Sequence, residues 1–167
     1  MGLNAVDGEQ QLRDLYASSY QRLVGVVGAI AGDRHEAEEA VQDAFVRLMG
    51  KWERVAHYDD PEAWVRRVAL GYVSNRRRKA RNGLRAALRL PRNTETAAPS
   101  GDALDLQRAL QALPVQQREV IVLQQIGLDV VAIAQQLEVP VGTVKSRLSR
   151  ARAALAPMLR EDVTDHV

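Results

Sequence analysis

The chain of 167 residues contains no cysteine. That excludes a disulfide framework, a thiolate zinc site and a cysteine nucleophile together. Aromatic side chains make up only 4% of residues, too few for a single-stranded binder built on many stacking rings. The three histidines, His35, His57 and His166, stand far apart and lack the spacing of metal ligands. No glycine-rich phosphate loop or nucleophile elbow occurs, and the acidic cluster from Asp33 to Asp43 lacks the alternating ligand order of a calcium loop. The expectation is a protein that is not an enzyme and uses no metal and no cofactor. No segment reaches the roughly 18 apolar residues of a bilayer span, and the opening residues lack a basic region followed by an apolar run, so a cytoplasmic protein is expected.

Charge is nearly balanced in sum, at +2, but not in distribution. Residues 1–60 carry 6 basic and 11 acidic side chains, residues 61–92 carry 10 and 1, and residues 93–167 carry 7 and 9. A basic block in the middle of a chain is a common footprint of contact with nucleic-acid phosphates, where each neutralised phosphate releases counterions. A solvated helix end running into a flexible tail would give the same block.

Helical periodicity runs almost throughout. Leu12, Tyr16, Tyr20, Leu23, Val27 and Ile30 repeat at three and four and predict a first helix ending near Gly32. Asp33, with Glu36 three residues on, opens a capping box, and Ala37, Ala40, Val41, Ala44, Phe45 and Leu48 form the stripe of a second helix. Asp60 followed by Pro61 starts a third, with Trp64, Val65, Val68, Ala69 and Tyr72 as its apolar side and Arg67, Gly71, Ser74, Asn75, Arg78 and Arg81 opposite. From Gly83 to Gly101 the rhythm fades into a linker with two prolines. It returns with Leu104, Leu106, Leu110 and Leu113, then Val120, Leu123 and Ile126. No run alternates with strand period for long. The expected fold is all-α, two small helical domains joined by a flexible linker.

The last quarter is the most pointed. Val130, Ile133, Ala134 and Leu137 make one short helix, and from about Pro140 a second carries Val144, Leu148, Ala151 and Leu155 on one narrow stripe. Lys145, Ser146, Ser149 and Arg150 face the other way, and no Asp or Glu occurs between Val139 and Arg160. That is the form of a helix-turn-helix whose second helix reads a DNA groove. An ordinary helical hairpin with a solvated basic face is the plain alternative.

The stretch Asp33-Arg-His-Glu-Ala-Glu-Glu-Ala-Val-Gln-Asp-Ala-Phe-Val-Arg-Leu48, then Pro61-Glu-Ala-Trp-Val-Arg-Arg-Val-Ala69 and an arginine run, resembles the sigma-two domain of bacterial extracytoplasmic-function (ECF) sigma factors. Leu113-Pro-Val-Gln-Gln-Arg-Glu-Val-Ile-Val-Leu123 and Val139-Pro-Val-Gly-Thr-Val-Lys-Ser-Arg-Leu-Ser-Arg-Ala-Arg152 resemble their sigma-four domain. The resemblance implies a sigma-two-like domain over residues 9–82, a linker over 83–101 and a sigma-four-like domain over 102–160. It implies core RNA polymerase (its β′ clamp and β flap) and promoter DNA as partners, and leaves room for an anti-sigma factor. Carried over by position, Glu39, Gln42 and Asp43 match the polymerase-docking face. Tyr58, Gly71, Ser74, Asn75, Arg77 and Arg78, helped by Arg76, match the −10 contacts. Thr143, Lys145, Ser146, Arg147, Ser149 and Arg150 match the −35 contacts, with Arg152 as a flanking phosphate clamp. Gly71 departs from the asparagine that relatives often carry there, which removes an amide from the −10 face. An autonomous helix-turn-helix regulator and a helical adaptor that binds no DNA are the competing classes.

Overall fold

The computed structural model describes residues 5–84 and 102–164. Within them lie α1 (Ala5–Ala31), α2 (Arg34–Met49), α3 (Trp52–Val55), α4 (Pro61–Leu84), α5 (Asp102–Ala112), α6 (Val115–Gln125), α7 (Val130–Leu137) and α8 (Val141–Thr164). No described residue belongs to a strand, in keeping with the all-α expectation. The helices fall into two compact units, α1 to α4 and α5 to α8. Beyond Gly83 and Leu84, the linker expected over 83–101 lies outside the described residues.

In the first unit α1, α2 and α4 pack on one another in all three pairings. Leu23, Val27 and Ile30 from α1, Ala37, Val41, Ala44 and Leu48 from α2, and Val65 and Ala69 from α4 are at most 1% exposed. Burying side chains of this size contributes about 1.5–3 kcal/mol for each Val, Leu or Ile, so the periodic stripes are what hold the unit together. The helix ends obey local rules. Gly32 sits at φ 73 and donates its N–H to the Gly28 carbonyl at 2.7 Å, closing α1 with a left-handed glycine. Asp33 follows at once and accepts the Glu36 N–H at 3.0 Å, so one helix stops and the next starts within two residues. Asp60 likewise accepts the Ala63 N–H at 2.9 Å ahead of Pro61.

One expectation is corrected here, and one element is added. The buried line of α4 is Val65, Ala69, Leu70 and Val73, while Trp64, expected in the core, is half-buried. The single turn α3 was not foreseen, since four residues are too few to show a period. It is held by Val55, fully buried, and by Trp52, which lies against the glycine in α1's first turns: a Cβ on Gly8 would stand 3.5 Å from the Trp52 Nε1.

In the second unit α8 packs on α5, α6 and α7. Val144, Leu148, Ala151 and Leu155 are at most 8% exposed, against Val120, Leu123 and Ile133 at 0%. Leu106 and Ile126, expected in the apolar pattern, are instead 48% and 38% exposed, and Ala109 of α5 and Leu113 just beyond its end are buried. Arg118 is only 7% exposed. Its guanidinium donates to the carbonyls of Leu110 at 2.8 Å, Gln111 at 3.1 Å and Leu113 at 3.0 Å, capping the C-terminal end of α5.

Candidate nucleic-acid interface

The helix-turn-helix is set by two similar helix endings. After α6, Gly127 at φ 97 donates to the Gln124 carbonyl and Leu128 to that of Leu123, at 3.0 and 3.2 Å, a Schellman motif built on glycine. After α7 the same two bonds run from Glu138 to Gln135 and from Val139 to Ala134, at 3.4 and 3.1 Å, but the left-handed position, φ 55, is held by Glu138. Between the two endings Asp129 caps α7 by accepting the Ala132 N–H at 2.7 Å. The turn then delivers Pro140, whose carbonyl accepts the Thr143 and Val144 amides at 3.0 and 3.2 Å and opens α8.

On α8 the buried stripe fixes what faces out. Lys145, Ser146, Ser149 and Arg150 are exposed, and Thr143 and Arg147 half-buried at the edges of that face. The Ser146 hydroxyl donates to the Thr143 carbonyl at 3.1 Å, which leaves its oxygen lone pairs to accept. Gly142 has open space where a Cβ would stand, so the first turn of the helix presents bare backbone. Arg152 donates to the Gln124 side chain at 2.8 Å and braces α8 on α6.

The first unit carries a second cationic face. On α4, Ser74, Asn75, Arg76 and Arg78 are exposed, and Arg77 and Gly71 half-buried. Arg78 donates to the Asn75 side-chain oxygen at 3.2 Å. Arg77 donates to the Ala31 carbonyl, at the end of α1, so its guanidinium is engaged inside the unit. Arg76 forms an ion pair with Glu39 of α2. Its hydrogen bond to Glu39 raises the Arg76 guanidinium above its ordinary value, and the charges of Glu39, Glu36 and Asp43 add to that. The same hydrogen bond, with the charge behind it, lowers the Glu39 carboxyl. Tyr58 is 42% exposed in the loop between α3 and α4, where its N–H returns to the Val55 carbonyl at 3.0 Å.

Glu39, Gln42 and Asp43 share one side of α2, off the buried stripe. Gln42 donates to the Tyr20 hydroxyl at 3.2 Å. The residues that continue this side were missed in the sequence. Val46 and Met49, 68% and 66% exposed, line a cleft of about 490 Å³ between α1 and α2 together with Leu12, Tyr16, Phe45 and Gln42. Val46 and Met49, three apart, continue the line of Gln42 as a short exposed apolar row that the stronger buried stripe masks. Among the described residues no helix is long and apolar enough to cross a membrane.

Two family descriptions match these two units: Sigma-70 region 2 over residues 15–83, and Sigma-70 region 4 over residues 103–155. The chain is 31% identical over 157 residues to the ECF RNA polymerase sigma factor SigM of Mycobacterium tuberculosis, covering 87% of this chain and 75% of SigM. Among solved structures, the sigma factor RpoE of Bartonella quintana, in complex with the anti-sigma factor NepR, shares the fold with a TM-score of 0.76 over 90% of this chain and 98% of its own, at 22% identity. CnrH, in complex with the cytosolic domain of CnrY, aligns with a TM-score of 0.61 at 26% identity, covering 92% of this chain and 90% of CnrH. With both regions matched in order and a relative at this identity over most of both chains, the protein belongs to the ECF sigma factors of the sigma-70 family.

Proposed function

We propose that this chain is an alternative sigma factor, a dissociable subunit that binds core RNA polymerase and directs it to start transcription at particular promoters. Residues 9–82 serve as the unit that docks on the β′ clamp and handles the −10 element, residues 83–101 as the connector, and residues 102–160 as the unit that reads the −35 element and meets the β flap. Catalysis belongs to the polymerase, and the protein acts where the polymerase is, in the cytoplasm.

The single observation that carries this reading is the outward face of α8: Lys145, Ser146, Ser149 and Arg150 exposed over a stripe that is at most 8% exposed, on a helix with bare backbone at its entry. Such a face fits a major groove, where arginine and lysine meet guanine acceptors and hydroxyls and amides meet phosphates. Thr143 and Arg147 flank it as phosphate contacts. On α2 the acidic and amide groups Glu39, Gln42 and Asp43 beside the apolar Val46 and Met49 suit a basic, partly apolar helical partner. Tyr58, Gly71, Ser74, Asn75 and Arg78 form the −10 side, with Tyr58 exposed for stacking on a base drawn out of the duplex. Arg77 contributes from its seat on the Ala31 carbonyl. CnrH was solved with CnrY bound, and an anti-sigma protein is a fitting regulator of this chain also.

Reconstitution tests the reading. The purified chain is mixed with core polymerase, the complex is isolated, and start sites are mapped by run-off transcription on genomic promoter fragments. A new set of start sites that appears only with the chain is the expected result, and Arg150→Ala then weakens −35-dependent initiation by about 1–3 kcal/mol. Tight duplex binding with no association with polymerase would identify an autonomous helix-turn-helix regulator instead.

A further inference from the structure

On the reading above, Glu39 belongs to the face that meets polymerase and Arg76 to the helix that meets DNA, yet in the structure they are bound to each other. Their side chains are 41% and 51% exposed, so water and competing ions reach both. The other Glu39 oxygen lies 3.4 Å from the His35 Nε2, and Asp43 and Glu36 add their charge around Arg76. In the same run Arg77 serves the Ala31 carbonyl and Arg78 the Asn75 amide, so Arg76 is the member held by a carboxylate.

We propose that the Glu39–Arg76 pair is a releasable latch between the polymerase-docking face and the DNA-binding face, resting on the function proposed above. In the free chain Glu39 neutralises Arg76 and withholds it from phosphate. A polymerase cation that takes Glu39 replaces one ion pair by another and releases Arg76 to the DNA backbone. An exposed pair is weak enough to be exchanged in this way, whereas Arg77, half-buried on a helix end, is not. The coupling is reciprocal, so DNA that engages Arg76 frees Glu39 for polymerase. A free subunit so built binds DNA weakly until it is seated.

Three variants of the full chain test the latch: Glu39→Gln, Arg76→Gln and both together, each first shown by circular dichroism to fold. Binding of the free chain to a fluorescein-labelled oligothymidylate is followed by anisotropy over a range of NaCl. Glu39→Gln is expected to tighten binding about two- to five-fold and to steepen the logarithmic salt dependence by about 0.7, the value for one more phosphate contact on a single strand. Arg76→Gln gives no gain, and in the double variant the gain from Glu39→Gln is lost. In parallel, Arg76→Gln is expected to tighten binding to core polymerase by a similar factor, because it takes the arginine away from Glu39; a purely structural arginine would weaken it. An equal gain from Glu39→Gln with and without Arg76 would mean a general charge effect and would overturn the latch, as would core binding that Arg76→Gln weakens or leaves unchanged. A wild-type chain that binds neither probe overturns the functional reading itself, and the latch with it.

Discussion

Arg118 of α6 ties the end of α5 into the second unit. The residue is 7% exposed, and its guanidinium reaches three carbonyls at the end of α5, at 2.8, 3.1 and 3.0 Å. In Arg118→Ala the Leu110 carbonyl retains the Leu113 amide at 3.2 Å, but the bonds to the Gln111 and Leu113 carbonyls are lost with no replacement from the new side chain. Hydrogen bonds to a charged donor contribute about 1.5–3 kcal/mol and an orphaned buried carbonyl destabilises by about 1–3 kcal/mol, so the substitution should remove about 2–5 kcal/mol. A helical unit of roughly 60 residues seldom holds more than about 3–5 kcal/mol in all. The expected drop in the melting temperature of that unit is therefore about 10–30 °C. Two optical probes separate the units: both tryptophans, Trp52 and Trp64, lie in the first unit, while far-ultraviolet circular dichroism reports on both. Arg118→Ala should shift part of the circular dichroism transition downwards and leave the tryptophan transition in place. Arg118→Lys, which keeps the charge but not the planar fork, should fall between. A circular dichroism curve that superimposes on wild type would refute the capping argument, and a tryptophan transition that moves with it would refute the separation of the units.

The other predictions concern single backbone positions and one titration. Glu138→Gly places the residue suited to φ 55 in the turn between α7 and α8, and in urea titrations followed by circular dichroism it should be about 1 kcal/mol more stable than Glu138→Ala, which loses the same side chain and keeps the left-handed strain; equal stability of the two variants would show that the backbone there carries none. Gly71→Ala fills open space in the interior of α4 and should raise the stability of the first unit by about 0.5–1 kcal/mol by tryptophan fluorescence, and a destabilised variant would show a contact there that the backbone geometry does not. For Glu39 the folded pKa is lowered, so its pairing with Arg76 is present above the ordinary carboxylate range and is lost as pH falls through the lowered value. A carbon-detected NMR titration should find the Glu39 midpoint below that of a free glutamate and moved upwards in Arg76→Gln, and equal midpoints in the two proteins would remove Arg76 as the cause.

The parts of this structure that were legible in the sequence are those decided within one helix. Asp33, Asp60 and Gly32 announce their helix ends because capping and left-handed closure depend on residues two to four apart. The stripe Val144, Leu148, Ala151 and Leu155 is legible for the same reason, and it fixes the exposure of Lys145, Ser146, Ser149 and Arg150 with no knowledge of what α8 packs against. Periodicity is less informative where two apolar rows share a helix. On α2 the row of Ala37, Val41, Ala44 and Leu48 is buried and the row of Val46 and Met49 is not, and the difference rests on which side α1 and α4 happen to cover.

Arginines are the residues whose roles sequence spacing misjudges most, and the reason is length. A short polar side chain such as Ser74 must act where its Cα points, so its place on the helix wheel describes its surroundings. An arginine carries its charge on a stem long enough to leave its own face and reach a neighbouring helix. Arg76, Arg77 and Arg78 are consecutive and read alike as cationic surface, yet one is paired with Glu39 on α2, one caps α1 at Ala31, and one stays on its own helix with Asn75. Arg118 reads as an ordinary polar member of α6 and closes α5 instead. A count of basic residues therefore overstates the charge free to meet phosphate. On the latch proposed above, Arg76 joins the exposed Arg78, Lys79 and Arg81 of the α4 face only when Glu39 is held elsewhere, and the strength of DNA binding would then belong to the assembled complex more than to the free chain.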